Sequence, residues 1–256
     1  MAISASTLFH FTDTYEKLSG ILRSNFIPQF SLEDYGSFFL KHRLKILKYA
    51  VPMVCFCDIP LSQIREHVKD YGRYAIGLSK EWATRMHLNP VIYINPGSEL
   101  SDYIFALVEK SAKETKKKGN RDVREVASSS EILGYSKPYR GYITKLGKPK
   151  RRKVFYNERE WRYVPYLAED PDSLWRLKES EFLNEETRNS ANSSLEKKVR
   201  LKFEPADIKY ILISKEEEIL QLIRRIEDAK GSKYSHTDVR ILTTKIMTID
   251  KVLEDM

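Results

Sequence analysis

The residues best suited to chemistry lie between positions 156 and 164, where carboxylates and an arginine alternate with aromatic side chains. If this segment is a β-strand, Glu158, Glu160 and Arg162 share one face, because side chains alternate along a strand. Repulsion between the two carboxylates would raise the pKa of one, while Arg162 would keep the other ionised. Such a pair can bind sugar hydroxyls and stabilise an oxocarbenium cation. The alternative is a charged edge strand that faces solvent.

Three further polar residues stand at the ends of apolar segments. His10 and Thr12 close the segment LFHFT, and Asp58 directly follows the apolar run VPMVCFC. His10 is either a structural histidine at a strand end or a group that contacts a ligand. Asp58 either caps the helix that starts at Leu61 or orients a histidine.

The two cysteines, Cys55 and Cys57, form a C-x-C pair in the same apolar run. On a strand their side chains point the same way, about 6–7 Å apart, which is awkward for a disulfide. Two ligands are also too few for a structural zinc site. The pattern therefore favours buried structural thiols over metal or redox chemistry.

The formal net charge of +8 is concentrated in one segment. Residues 132–157 contain no acidic residue, and Tyr135, Tyr139 and Tyr142 are interleaved with its cations. Basic residues mixed with aromatic ones can hold a polyanion by phosphate pairing and base stacking, so this segment predicts RNA or DNA binding. A solvated surface loop is the alternative. The eight cations are Lys137, Arg140, Lys145, Lys148, Lys150, Arg151, Arg152 and Lys153.

Hydrophobic periodicity predicts the elements that must position these residues. An opening strand over 8–11 precedes a helix capped by Asp13 or Thr14, and residues 29–50 read as a polar loop followed by a basic helix. A hairpin spans 141–167, and 167–198 is an irregular acidic excursion. The other predicted strands are 51–57, 74–79, 89–96, two within 199–214 and 238–250; the other predicted helices are 61–72, 80–87, 98–119 and 215–230.

This order predicts one α+β domain over 1–256, with a mixed or antiparallel sheet, flanking helices, and a C-terminal part, 199–256, that completes it. The chain contains neither GxGxxG nor GxxxxGK[ST], which argues against the common nucleotide-binding folds. It has no apolar run long enough for a membrane span and no signal-peptide pattern at its start, so we expect a cytoplasmic protein without membrane partners.

Two resemblances follow from these motifs. The segments HFT, PMVCFCDIPLS, YGRYAIGLSKEWA and EREWRYVP are similar to the AbiGi family of abortive phage-resistance proteins, over roughly residues 7–215. LFHFTD followed by LSGIL resembles the opening of DarT-type ADP-ribosyltransferases, which modify DNA. Glu158-Arg159-Glu160 resembles the E-x-E motif of arginine-specific ADP-ribosyltransferases.

The transferase resemblance implies an ADP-ribosyltransferase-like fold and a phage-defence toxin that uses NAD as its substrate. It implies that His10 and Thr12 bind the ribose and carboxamide region, with Asp58 nearby, and that Glu160 stabilises the cationic sugar. Glu158 or Asp58 would accept the proton of a nucleic-acid acceptor. The tyrosines that could stack on nicotinamide are Tyr71, Tyr74 and Tyr93, of which Tyr74 and Tyr93 lie on predicted strands.

Other functions remain open at this point. The AbiGi resemblance also implies a non-catalytic antitoxin or regulator that binds a nucleic acid or a partner toxin. If the chain is instead the toxin, a protein antitoxin is the expected partner. A magnesium-dependent nuclease built from Asp58, Glu158 and Glu160 is a third interpretation, whereas the transferase interpretation needs no metal.

Overall fold

The structure, a computed structural model, describes residues 5–37, 39, 48–118, 132–143, 151–167, 174–231 and 233–255. Its strands, in chain order, are β1 (Thr7–Thr12), β2 (Gln29–Asp34), β3 (Lys48–Cys57), β4 (Tyr74–Ser79), β5 (Asn89–Pro90), β6 (Ile92–Ile94), β7 (Ser136–Pro138), β8 (Arg140–Ile143), β9 (Arg151–Val154), β10 (Glu160–Tyr163), β11 (Leu177–Lys178), β12 (Ile208–Ile213) and β13 (Ile246–Thr248). Its helices are α1 (Tyr15–Ser24), α2 (Arg65–Tyr71), α3 (Lys80–Arg85), α4 (Glu99–Lys118), α5 (Glu179–Leu183), α6 (Glu185–Lys198), α7 (Ile219–Lys230), α8 (His236–Thr243) and α9 (Ile249–Asp255).

The chain divides into two compact units, each assembled from separate stretches of sequence, where the sequence indicated one domain. Unit 1 comprises Met1–Ile27, Cys55–Asn89 and Arg200–Met256. Unit 2 comprises Pro28–Val54 and Pro90–Val199. Strand β3 contributes residues 48–54 to unit 2 and residues 55–57 to unit 1.

Unit 1 contains a sheet with the strand order β13-β12-β4-β1. β4 is antiparallel to both β1 and β12, whereas β12 and β13 are parallel, so the predicted mixed sheet is confirmed. Phe9 on β1 pairs with Cys57 of β3. The core on this sheet includes Phe9, Cys57, Ile64, Leu212 and Val252. The prediction of buried structural thiols is confirmed for Cys57, whereas Cys55 is only half-buried, and neither of the two is in a disulfide.

The start of unit 1 follows the sequence prediction closely. Thr14 caps α1 by accepting the Lys17 N–H, which satisfies one of the donors that the first turn of a helix leaves unpaired. Gly72 ends α2 with φ +116°, a conformation that favours glycine. A Cβ at Gly72 would also lie 2.4 Å from the Thr12 carbonyl oxygen. This glycine therefore lets the chain pass close to the end of β1.

Unit 2 is built around residues 48–54 of β3. β2 pairs with β3 in antiparallel register from Gln29↔Met53 to Asp34↔Lys48, and β11 pairs with it at Leu177↔Ala50. Unit 2 also contains β10, which neighbours β3 in the strand order, and two smaller sheets: the parallel pair β6–β7 and the antiparallel hairpin β8–β9. Leu177, Ala191 and Leu195 pack with Phe30 and Ala50 in its core.

Several predicted elements differ from the structure. Residues 29–34, predicted as loop, form β2, because Phe30 and Leu32 alternate with polar residues and contribute to the core. Most of the basic helix predicted over 38–50 lies outside the described residues, and its described end, 48–50, belongs to β3 instead. The prediction that 167–198 is irregular is wrong for the described part of this segment, which forms α5 and α6. Helix α6 is capped by Asn184 and buries little more than Ala191 and Leu195, so it leaves a weak periodic signal.

The C-terminal strand predicted over 238–250 is also wrong. α8 occupies His236–Thr243, with Ser235 as a cap that accepts the Asp238 N–H, and only Ile246–Thr248 is a strand. The β-branched run there favoured a strand, but Val239 and Leu242 are buried at helical spacing. Among the helices of the described chain, none has the length and hydrophobicity needed to cross a bilayer.

Candidate functional site

The sequence predicted a continuous strand through Glu158 and Glu160, and this prediction is wrong. Phe155–Glu158 form a 3-10 turn, and Arg159 adopts a left-handed conformation with φ 45° before β10 begins at Glu160. Both carboxylates nevertheless point inward, with exposed fractions of 3% for Glu158 and 6% for Glu160. Arg162, two residues further along β10, is fully buried. The alternative of a solvent-facing edge strand is therefore wrong.

Lys137 on β7 joins the two carboxylates. Its Nζ lies 2.6 Å from Oε2 of Glu158 and 2.5 Å from Oε2 of Glu160. The same ammonium group lies 4.9 Å from the centre of the Phe155 ring. Because one ammonium touches both acids, the two Oε2 atoms are no more than about 5 Å apart.

Two more cations complete the arrangement. Arg162 donates from Nε to Oε1 of Glu160 at 2.6 Å and from Nη1 to the Gly134 carbonyl at 2.7 Å. Its Nη2 reaches Oε1 of Glu33 on β2 at 2.8 Å. Lys153 on β9 lies 2.7 Å from Oε1 of Glu158. We call these six residues the charged cluster of unit 2: Glu33, Lys137, Lys153, Glu158, Glu160 and Arg162.

The electrostatics of the charged cluster follow from this pairing. Burial alone would favour the neutral acid, but Arg162 and Lys137 outweigh it and hold the pKa of Glu160 far below its ordinary value. Burial acts on Glu158 in the same way, and Lys137 and Lys153 lower its pKa. The predicted rise in one of these two pKa values is wrong, because Lys137 lies between the acids. Burial instead raises the pKa of Glu33, although Arg162 opposes this.

Tyr93 on β6 supports the same site. Its hydroxyl accepts the backbone N–H of Glu160 at 2.8 Å, which fixes the first residue of β10. Its ring packs edge-on against Tyr156, with 5.3 Å between ring centres. Burial raises the pKa of Tyr93, so the phenol stays neutral. Tyr93 thus positions Glu160 through its backbone.

The other residues predicted to contact NAD belong to unit 1. His10 donates from Nδ1 to the Cys55 carbonyl at 2.8 Å, and its ring packs against Phe26 and Phe56. Burial lowers the pKa of His10, which makes it a neutral histidine of an aromatic core. Thr12 is buried at the end of β1, opposite Tyr74.

Asp58 does not cap the helical turn that follows it. Pro60 occupies the cap position of the 3-10 turn Leu61–Gln63, with no side-chain capping bond. Asp58 accepts the Ala5 N–H at 3.0 Å and lies 2.7 Å from Nζ of Lys80. It therefore ties the residues before β1 to the start of α3.

Tyr74 on β4 also has a partner within unit 1. Its hydroxyl donates to Glu218 at 2.7 Å, and burial followed by this contact raises the pKa of Tyr74 to about 12. The residues proposed for NAD binding thus fall into two sets, one in each unit. Their convergence around one cleft stays a prediction.

The basic segment is divided between surface and interior. Arg151 and Arg152 are exposed on β9, whereas Lys153 turns inward to Glu158 with its side chain only 11% exposed. Lys145, Lys148 and Lys150 lie outside the described residues. Within the part of the chain that the structure describes, no group of three or more histidine, cysteine or acidic residues could hold a metal ion.

Sequence reasoning missed Glu33 and the role of Lys137. The Phe30–Leu32 alternation could have placed Glu33 on a strand, but nothing in the sequence indicates that it meets Arg162. Lys137 was counted among the surface cations of the basic segment. Its burial follows from contacts with Glu158 and Glu160 that are distant in sequence.

Comparisons with known proteins give two matches. Residues 24–214 match the family described as "Putative abortive phage resistance protein AbiGi, antitoxin". The chain is 26% identical to the abortive phage resistance protein AbiGi of Lactococcus lactis subsp. cremoris over 253 residues, which cover 90% of this chain and 99% of that protein. No solved structure matches the chain, so the ADP-ribosyltransferase-like fold stays a prediction. Neither match carries the DarT resemblance.

Proposed function

The chain belongs to the AbiGi family of abortive phage resistance proteins, and from this premise we propose that it acts as a non-catalytic antitoxin. Its partner in this proposal is a protein toxin, in keeping with the description of the family. The observation that carries the proposal is the state of the two acids that would have to do chemistry. All four carboxylate oxygens of Glu158 and Glu160 already contact a cationic group of the same chain.

An acid that stabilises an oxocarbenium ion must present negative charge to the sugar. In the charged cluster, three carboxylates face three cations, so little net negative charge remains for a ligand. A ribose hydroxyl would have to displace Lys137 or Arg162, and a buried charge that loses its partner costs about 3–5 kcal/mol. The cluster therefore fits a structural role, in which it joins β2, β7, β9 and β10 of unit 2.

Inducible expression together with an NAD assay tests this proposal. An antitoxin should leave host growth unchanged, and the purified protein should release no nicotinamide from NAD. Glu160→Gln should be equally well tolerated. Growth arrest by the wild-type protein that Glu160→Gln removes would contradict the proposal, provided that circular dichroism shows the variant to be folded.

One observation favours a second candidate, an NAD-dependent ADP-ribosyltransferase that modifies RNA or DNA. Glu158 and Glu160 converge within about 5 Å, and clusters of strongly perturbed acids are common at active sites. The one ammonium that joins them belongs to Lys137, whose side chain is 12% exposed. Movement of this long side chain would take the shared ammonium from Oε2 of both acids, while Lys153 and Arg162 stay on their Oε1 atoms. In this candidate Glu160 then faces the cationic sugar and Glu158 takes the acceptor proton. His10, Thr12, Asp58, Tyr74 and Tyr93 are the proposed NAD contacts.

Two glutamine variants separate the steps of this second candidate. Glu160→Gln should lower nicotinamide release about 10²–10³-fold, because it removes the charge that faces the sugar cation. Glu158→Gln should impair labelling of the nucleic-acid acceptor more than nicotinamide release. Both products are measured side by side with labelled NAD. Wild-type rates in both variants would rule out these roles for the two acids.

A further inference from the structure

The hairpin formed by β8 and β9 has two unlike faces. Gly141 pairs with Lys153 on the inner face, where Lys153 binds Glu158 and a Cβ at Gly141 would lie 2.9 Å from the Phe155 ring. The outer face is formed by the alternate residues of both strands. These residues, all exposed, are Arg140, Tyr142, Arg152 and Val154.

The outer face combines cations with large exposed aromatic rings. Tyr142 lies directly opposite Arg152 and is 54% exposed. Arg152 donates from Nε to the Tyr142 hydroxyl at 3.1 Å, which holds the ring in one orientation. Tyr139 and Tyr156 stand at the end of the hairpin where Arg140 pairs with Val154, and they are 40% and 49% exposed. Three exposed tyrosines in one small region are unusual unless they contact a partner.

The charge of this region selects the kind of partner. Residues 132–157 contain no acid, and Glu158 and Glu160, which follow, are buried in the charged cluster. The exposed charges on the outer face are therefore those of arginines alone. A protein partner of mixed charge would leave these cations unmatched, whereas a polyanion neutralises them with its phosphates.

We infer that the outer face of the β8–β9 hairpin, with Tyr139 and Tyr156 at its end, binds single-stranded nucleic acid. In this arrangement, bases stack on the tyrosines and phosphates contact Arg140 and Arg152. A single strand is required because the bases of a duplex are already stacked on one another. Arg152 orients Tyr142 before binding, which reduces the cost of ordering the side chain. This inference goes beyond the proposed function and does not depend on NAD chemistry.

Fluorescence anisotropy with the full-length protein tests the inference. The probes are labelled 20-nucleotide oligo(U), oligo(dT) of the same length and a 20-base-pair RNA duplex, each titrated at several salt concentrations. We expect binding to one or both single strands and much weaker binding to the duplex. Comparison of oligo(U) with oligo(dT) tells whether RNA or DNA is preferred.

Variants of the outer face separate stacking from charge. Tyr142→Ala should raise the Kd for the single strand about 5- to 140-fold, the range expected for one lost base stack. The pair Arg140→Gln and Arg152→Gln should weaken binding and make the negative slope of log K against log salt shallower by about 0.7 per lost phosphate contact. Lys153 is left intact, because it belongs to the charged cluster.

A matched control removes the same charge from unit 1. The pair Lys209→Gln and Arg224→Gln changes two exposed residues there and should leave binding unchanged. The inference is overturned if the wild type binds no single strand, if Tyr142→Ala binds as well as wild type, or if the control pair weakens binding as much as the arginine pair. In the first case the outer face binds no single strand, and in the second no base stacks on Tyr142. The growth and NAD assays of the proposed function are unaffected by any of these results.

Discussion

Replacing Lys137 by methionine is the most direct test of the charged cluster. Methionine keeps much of the apolar length of lysine but removes the ammonium that touches both Glu158 and Glu160. The remaining charges are three carboxylates and two cations, in a site where Glu158 and Glu160 are almost completely buried. Breaking a buried ion pair by removing one partner costs about 3–5 kcal/mol. For a chain of this size, that loss lowers Tm by about 6–20 °C.

The dependence of this loss on pH identifies its cause. In the wild type, the pKa values of Glu158 and Glu160 lie below their ordinary value of 4.5, so their ion pairs stabilise the fold above that pH and cease to do so as the acids are protonated. Without Lys137, burial raises the pKa of at least one acid above its ordinary value, so this acid takes up a proton as the pH falls from neutral towards that raised pKa. The difference in Tm between variant and wild type should therefore shrink over this range.

Two further variants serve as controls in the same thermal unfolding experiment. Lys17→Met removes an ion pair with Asp13 whose side chains are 62% and 60% exposed, and it should cost about 1 kcal/mol or less. The double variant Lys137→Met with Glu158→Gln restores the balance of charge and should be more stable than Lys137→Met alone. A loss of stability in Lys137→Met no larger than in Lys17→Met, or a further loss when Glu158→Gln is added, would contradict this role of Lys137.

Two other predictions concern unit 1. Gly72→Ala should destabilise the protein by more than about 1 kcal/mol, because φ is +116° and the new Cβ would meet the Thr12 carbonyl. Gly20→Ala in α1, whose new Cβ would meet no atom beyond its own stretch of helix within 4 Å, should instead stabilise the protein by about 0.5–1 kcal/mol. Equal effects of the two variants in urea denaturation would contradict this. His10 should titrate below its ordinary pKa of 6.5 in an NMR experiment, because burial disfavours its charged form. Its contribution to the stability of the fold should be lost as the pH falls from 6.5 through that lowered pKa. A titration midpoint at or above 6.5 would show that the ring is not buried as described.

The elements predicted most accurately are those whose pattern is local. α1 has Leu18 and Leu22 buried on one face and a cap at Thr14, and β1 has the apolar run that a buried strand requires. The predicted hairpin was correct for the pairing of β8 with β9 but not for its extension through 167. Arg159 interrupts the strand in a left-handed conformation, which non-glycine residues rarely adopt and no residue type there signals.

The two acids of the candidate site could be predicted from the sequence, but most of the side chains that pair with them could not. The prediction that Arg162 contacts a neighbouring carboxylate agrees with the structure, because the two residues lie two apart on one strand. Lys137 lies on β7 and Glu33 on β2, far from Glu160 and Arg162 in the sequence. Contacts over such distances produce no periodic pattern from which they could be predicted. For the same reason, Lys153 could not be distinguished from Arg151 and Arg152, although only its side chain joins the charged cluster.

The alternation of the two units along the chain affects how the protein folds during its synthesis. β4 receives β1 on one edge soon after both are made, but its other edge pairs with β12, which leaves the ribosome much later, after the long second segment of unit 2. At ordinary rates of translation, this delay is on the order of 10 s. During that time the nascent sheet exposes an unpaired edge along Ala75, Ile76 and Leu78, and an open apolar edge invites aggregation. A chain that terminates before β12 would keep this edge open permanently, so prematurely terminated products should aggregate or be degraded.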